Sequence, residues 1–156
     1  MTEEQFETGG TTLSRGQVNV VRLTGLAGIV GGIAMVVVAI LAWISVSNQL
    51  RAEDIVIPDD APIFAGKVVD GPIDAFIQAG VIDMHAREMA DGKTYAELDR
   101  EDPLRATVMN ASFLRASLFT SVIAFGVALM AGGVGLLFIL FGWSLRVVVP
   151  PFPKQT

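Results

Sequence analysis

Two stretches of this sequence carry no charged residue over a length that few folds can accommodate. The first, LTGLAGIVGGIAMVVVAILAWISV (residues 23–46), has 24 residues, and the second, ASLFTSVIAFGVALMAGGVGLLFILFGWSL (residues 116–145), has 30. As α-helix the shorter one rises roughly 36 Å, more than the ~30 Å hydrocarbon core of a bilayer. Neither run contains proline, so neither is broken. A buried helix of a soluble domain rarely needs so long an uninterrupted apolar run. The runs predict two transmembrane helices, 23–46 and 116–145. The first exceeds the apolar core of a cleaved signal, about 7–15 residues, and ISVSNQ lacks a small-x-small cleavage pattern, so it reads as a retained signal anchor.

The fold class that follows is an all-α membrane protein: a two-helix transmembrane hairpin with a partly helical extramembrane cap. Residues 1–22 and 146–156 become tails, and residues 47–115 an acidic loop between the spans. Arg22 and Arg146 abut the outer ends of the hairpin, with Arg15 and Lys154 nearby, while the loop holds seven Lys/Arg. The positive-inside count is therefore nearly balanced. The short N-terminal tail, with Arg22 next to the anchor, favours cytoplasmic termini, an extracytoplasmic loop and a plasma-membrane location.

Trp43 and Trp143 lie near the C-terminal ends of their spans, which puts one indole at each interface of an antiparallel hairpin. Arg115 heads the second run. From there to Trp143 a helix rises roughly 42 Å, close to the ~40–45 Å of a whole bilayer with headgroups. Arg115 is then expected at headgroup level, where its stem can snorkel. It can serve as an anchor, a lock to a loop carboxylate, or a ligand. The expected interface anchors are Arg22, Trp43, Arg115, Trp143 and Arg146.

Small residues mark the expected helix–helix contact. Gly28-x-x-x-Gly32 lies in the first span, and Ala124, Ala128 and Gly132 recur every four residues in the second. Such spacing lets backbones approach, and dispersion then supplies the attraction that apolar burial cannot supply in lipid. The same faces can also receive a partner helix.

The loop carries 13 acidic and seven basic residues. Pro58, Pro62 and Pro72 forbid a helix through its first part, where 55–57 and 67–69 have the composition of short strands. Gly71-Pro72 opens a helix expected over 72–91, with Ile73, Phe76, Ile77, Val81 and Met84 as its apolar face. Asp91-Gly92 ends it. Thr94-x-x-Glu97 forms a capping box for a short turn at 95–100. From Pro103 nothing breaks the helix, so the second span begins as a long helix outside the membrane. Arg105, Val108, Ser112 and Arg115 share one stripe of it, facing the cap or lipid phosphates.

Several function classes fall away. The chain has no cysteine, which removes disulfides, thiol catalysis and thiolate metal sites. A net charge of −5 lacks the basic footprint of a nucleic-acid partner. The spans hold no ionisable residue, the usual mark of proton relays and ion pathways. His85 is the one histidine, near Asp83, Glu88 and Asp91. One histidine meets neither the two-histidine iron triad nor a three-nitrogen zinc site. No serine has a histidine and acid at recognisable spacing, and no phosphate-loop or dinucleotide motif occurs. No catalytic, cofactor-binding or metal residue is assigned, and no small-molecule substrate.

AGKVVDGPIDAFIQAGVIDMHA, GKTYAELDREDP and RATVMNASFLRASLFTSVIAFGVALMAGGVG together resemble a family of small two-span actinobacterial membrane proteins often labelled "aromatic ring-opening dioxygenase". The likeness covers roughly residues 50–145. It implies an actinobacterial plasma-membrane setting and transfers no site residue. The function expected is that of a non-catalytic accessory or assembly subunit of a larger membrane complex, such as a respiratory supercomplex. Its partners would be the lipid bilayer and other membrane subunits. The alternatives are the dioxygenase activity of the family label and an oligomeric sensor or channel-like protein.

Overall fold

The structure is a computed structural model that describes residues 14–149. Among these it has three helices and no strand: α1 (Arg15–Ala52), α2 (Pro72–Met89) and α3 (Arg105–Val148). α1, with 38 residues, and α3, with 44, are each long and apolar enough to cross a membrane. Residues 1–13 and 150–156 of the expected tails, Lys154 included, lie outside the described residues.

Both long helices overrun the uncharged runs. α1 starts at Arg15 because Ser14 and Gln17 cap it reciprocally. The Gln17 N–H donates to Ser14 Oγ at 3.3 Å, and the Ser14 N–H to Gln17 Oε1 at 2.8 Å. It continues through SNQLRA to Ala52 without fraying at the end of the apolar run. α3 starts at Arg105, two positions after Pro103, because Asp102 holds the chain in a turn. Its Oδ1 accepts from the Leu104 N–H at 2.8 Å and its carbonyl from the Arg105 N–H at 3.1 Å.

α2 stops at Met89, short of the expected Asp91. The Gly92 N–H reaches back to the Arg87 carbonyl at 2.8 Å, while Asp91 and Gly92 both take positive φ, 49° and 81°. Only half of the expected Thr94–Glu97 box forms, and it closes turns rather than a helical turn: Glu97 Oε2 accepts from the Thr94 N–H at 2.7 Å, but the Glu97 N–H goes to the Thr94 carbonyl at 3.0 Å and not to its hydroxyl. The two strand candidates meet only as one antiparallel bridge, Val56 with Val68. Pro58 and Pro62 cannot donate to a longer ladder.

The chain divides into two compact units. In the first, the described residues up to Ala34 and from Val134 onward, α1 and α3 run antiparallel with backbones in contact at glycines. A Cβ on Gly25 would lie 2.7 Å from the Gly142 carbonyl oxygen, and one on Gly32 would strike the Gly135 carbonyl oxygen and come within 2.8 Å of Ile139 Cγ1. No side chain larger than hydrogen fits these positions without moving backbone.

The second unit is Met35–Gly133. Its core joins Leu50 of α1, Ile57 and Val69 of the bridge region, Ala75 and Ala79 of α2, and Leu118 and Phe125 of α3. Ile57 and Val69 are completely buried, each contributing about 1.5–3 kcal/mol of apolar transfer. A smaller cluster of Ala90, Leu98 and Val108, covered by Tyr95 and Leu104, ties the turns after α2 to the start of α3.

Candidate functional site

α2 is fixed in place by a carboxylate. Asp74, in its first turn, is 1% exposed and accepts from Lys67 Nζ at 2.7 Å and from the backbone N–H groups of Gly71 at 2.8 Å and Asp70 at 3.1 Å. Burial raises its pKa. The Lys67 ammonium and the two backbone donors outweigh burial and hold it below the ordinary carboxylate value. The Asp74 hydrogen bond raises the Lys67 pKa, against a smaller opposing effect of desolvation. Asp70 extends the knot to α1, where its Oδ2 accepts from Arg51 Nη2 at 2.7 Å and its carbonyl from Ser47 Oγ.

The signs give a pH window. A depressed carboxylate stabilises above its unfolded pKa, about 3.9, and loses that contribution as pH falls through the folded value. A raised lysine stabilises below about 10.4 and loses it as pH rises through the folded value. The α2 region is expected to keep its full protection from amide exchange between roughly pH 5 and pH 10 and to lose it first on the acid side. Hydrogen-exchange mass spectrometry across pH checks this.

The face that α2 turns to the core is the reverse of the one its apolar pattern suggests. Inward lie Asp74, Ala75, Gln78, Ala79 and Ala86. Outward lie Ile73 at 64% exposure, Phe76 at 59% and Met84 at 37%, with Ile77 partly covered; of the expected face only Val81 is buried. Alanine inward lets α2 lie close against α1 and α3. In the middle of the outward stripe stands Gly80, and a Cβ built on it would meet nothing within 4 Å. Phe76 touches Phe119 of α3 edge-on, ring centroids 5.8 Å apart, so the stripe continues onto α3.

At the other end of α2, Asp83 receives two guanidinium groups. Arg87 Nε donates to its Oδ2 at 3.0 Å, and Arg115 Nη1 of α3 to its Oδ1 at 2.8 Å. Arg115 is thus locked to a loop carboxylate. Its Nε is buried without an acceptor, and Gln78 Oε1 is buried without a donor. Beside this node lies a partly open cleft of about 40 Å³, lined by Asp83, Arg87, Lys93, Thr94, Ser112 and Arg115, among others. About three turns back toward the start of α3, the Arg105 guanidinium donates to the Leu98 carbonyl at 2.5 Å and lies 4.2 Å from the Tyr95 ring. The stripe Arg105–Val108–Ser112–Arg115 therefore faces the cap.

His85 Nε2 lies 2.6 Å from Asp60 Oδ2, and that contact first of all lowers the Asp60 pKa. Among the described residues no three His, Asp or Glu side chains gather as a metal would need.

The remaining expected positions fall in both units. In the first, a Cβ on Gly28 would sit 3.4 Å from the Phe138 carbonyl, and Gly32 meets Gly135 and Ile139. Arg22 Nη1 donates to the Val149 carbonyl at 2.9 Å, and the Arg146 stem packs over Gly25. Trp143 is 61% exposed. In the second, Ala128 is buried, Ala124 is half-buried, and Gly132 faces the Ala39 methyl. Trp43 stacks obliquely on Phe125, centroids 4.7 Å apart. Sequence spacing missed Gly142 and Phe125, which lie on the helix contact, and Asp74. Compared with protein-family models, curated proteins and solved structures, the chain matches none.

Proposed function

We propose that this chain is a two-span integral protein of the plasma membrane, with both termini cytoplasmic, that acts as an accessory or assembly subunit of a larger membrane complex. The observation that carries this reading is the outward stripe of α2, Ile73–Phe76–Ile77–Met84 around Gly80. The described residues leave most of this apolar face uncovered, and such faces mark interaction surfaces. A lipid surface would need only the apolar side chains. A partner helix also needs a place where backbones can approach, and Gly80 supplies one. Glycine inside a helix is about 1 kcal/mol worse than alanine, so its place here is better matched to contact than to folding. The resemblance to small actinobacterial membrane proteins supports a respiratory assembly as the setting.

Gly80→Leu tests the reading. The new side chain enters open space and removes a helix-weakening glycine, so stability should hold or rise by about 1 kcal/mol. In gentle detergent the native chain should bring a membrane partner in fixed ratio, and both Gly80→Leu and Phe76→Ser should lose it. A native chain that always runs as a lone monomer, or a Gly80→Leu variant that keeps its partner, would sink the proposal.

A further inference from the structure

We infer that the cleft between the end of α2 and the start of α3 binds a phosphate-bearing anion, held by Arg87, Lys93 and Arg115. Segment 47–115 as a whole is acidic, 13 carboxylates against seven cations. The cleft reverses that sign: three cations and one carboxylate line it. The carboxylates at hand are already engaged. Asp83 is shared by Arg87 and Arg115, at 3.0 and 2.8 Å. Glu97, outside the lining, is held by the Thr94 N–H and hydroxyl at 2.7 and 2.8 Å.

One carboxylate cannot use the donors of two guanidiniums, which carry five N–H each. The surplus is visible. Arg115 Nε is buried with no acceptor, and Lys93, which acts on Glu97 only through space, forms no direct ion pair among the described residues. An unmet buried donor beside a surplus of positive charge calls for an acceptor with several oxygens, and a tetrahedral phosphate matches guanidinium forks better than a single carboxylate does. The Thr94 and Ser112 side chains on the lining add hydroxyl groups. The cleft has room for more than a single water and opens on one side, so an ester substituent can remain outside.

Two sources offer this chemistry: a phospholipid headgroup and free phosphate. Arg115 directly precedes the uncharged run 116–145, so a headgroup would reach the cleft if that run crosses the bilayer. The inference itself does not depend on what covers the α2 stripe.

The test uses the full chain in detergent. It is titrated by calorimetry with inorganic phosphate and, separately, with short-chain phosphatidylglycerol, with short-chain diacylglycerol as the phosphate-free probe. Binding of either phosphate probe, weakened roughly tenfold in Lys93→Gln and in Arg87→Gln, is the expected result. Both altered side chains are exposed, so these variants should fold, and Arg100→Gln, outside the cleft, should bind as the native chain does. Binding of the lipid alone assigns a headgroup, and competition by inorganic phosphate assigns the free anion. The inference is overturned if neither phosphate probe binds, if diacylglycerol binds equally well, or if the two variants bind like the native chain.

Discussion

Gly32→Val should open the contact between α1 and α3, while Gly31→Val, one residue away, should leave it closed. The two changes add the same branched side chain to the same helix, so helix propensity cancels. They differ in what the new atoms meet. At Gly31 there is open space within 4 Å, and at Gly32 there are the Gly135 carbonyl and Ile139. Backbone cannot swing aside as a long side chain can, so the helices must move apart. Overpacking of this kind destabilises by about 1–3 kcal/mol. In a membrane the loss is not offset by apolar burial elsewhere, because lipid is as apolar as the helix. SDS titration followed by tryptophan fluorescence, with Trp143 one residue from Gly142, measures the difference. Equal losses in the two variants would show that the glycines do not set the helix contact.

Asp74→Ala should be the most damaging single change in the second unit. It strands the backbone N–H groups of Asp70 and Gly71 and releases Lys67, a loss of about 2–4 kcal/mol. Lys67 is half-exposed and can hydrate, which keeps the loss below that of breaking a wholly buried pair. The variant should also have a shallower acid limb in its stability profile, since one depressed carboxylate behind that limb is gone while Asp60 remains. Asp74→Asn keeps the shape and should fall between the two. Amide protection over residues 67–79 is the readout. Unchanged protection in Asp74→Ala, or an acid limb identical to that of the native chain, would refute the role given to this residue.

What the sequence made legible was length, period and punctuation. Two uncharged runs predict two long helices, Gly71-Pro72 marks the start of α2, and the stripe from Arg105 to Arg115 stands out on α3, although only the structure decides for the cap over lipid phosphates. The sense of α2 was not legible. Its apolar residues recur with helical period, yet hydrophobicity alone does not say whether a face is chosen for affinity or for thinness. Ala75, Ala79 and Ala86 take most of the inward side, where short side chains let α2 lie close against its neighbours. Asp74 was hidden for a different reason: its partner Lys67 lies seven residues back in a non-helical connector, where no periodicity links them. The Thr94–Glu97 box forms only in part and starts no helix. Only a few residues separate it from the Asp102 turn, too few to repay helix nucleation.

Asp83 stands next to Met84 on α2, so the residue that gathers two arginines adjoins the outward apolar stripe proposed to meet a partner. An anion drawing on Arg115 competes with Asp83 for the same guanidinium and changes how firmly the end of α2 is held. Two ligands that both bias one helix are thermodynamically linked: whatever factor the anion imposes on partner affinity, the partner imposes on the anion. A subunit built this way would report the phosphate content of its surroundings to the complex it joins.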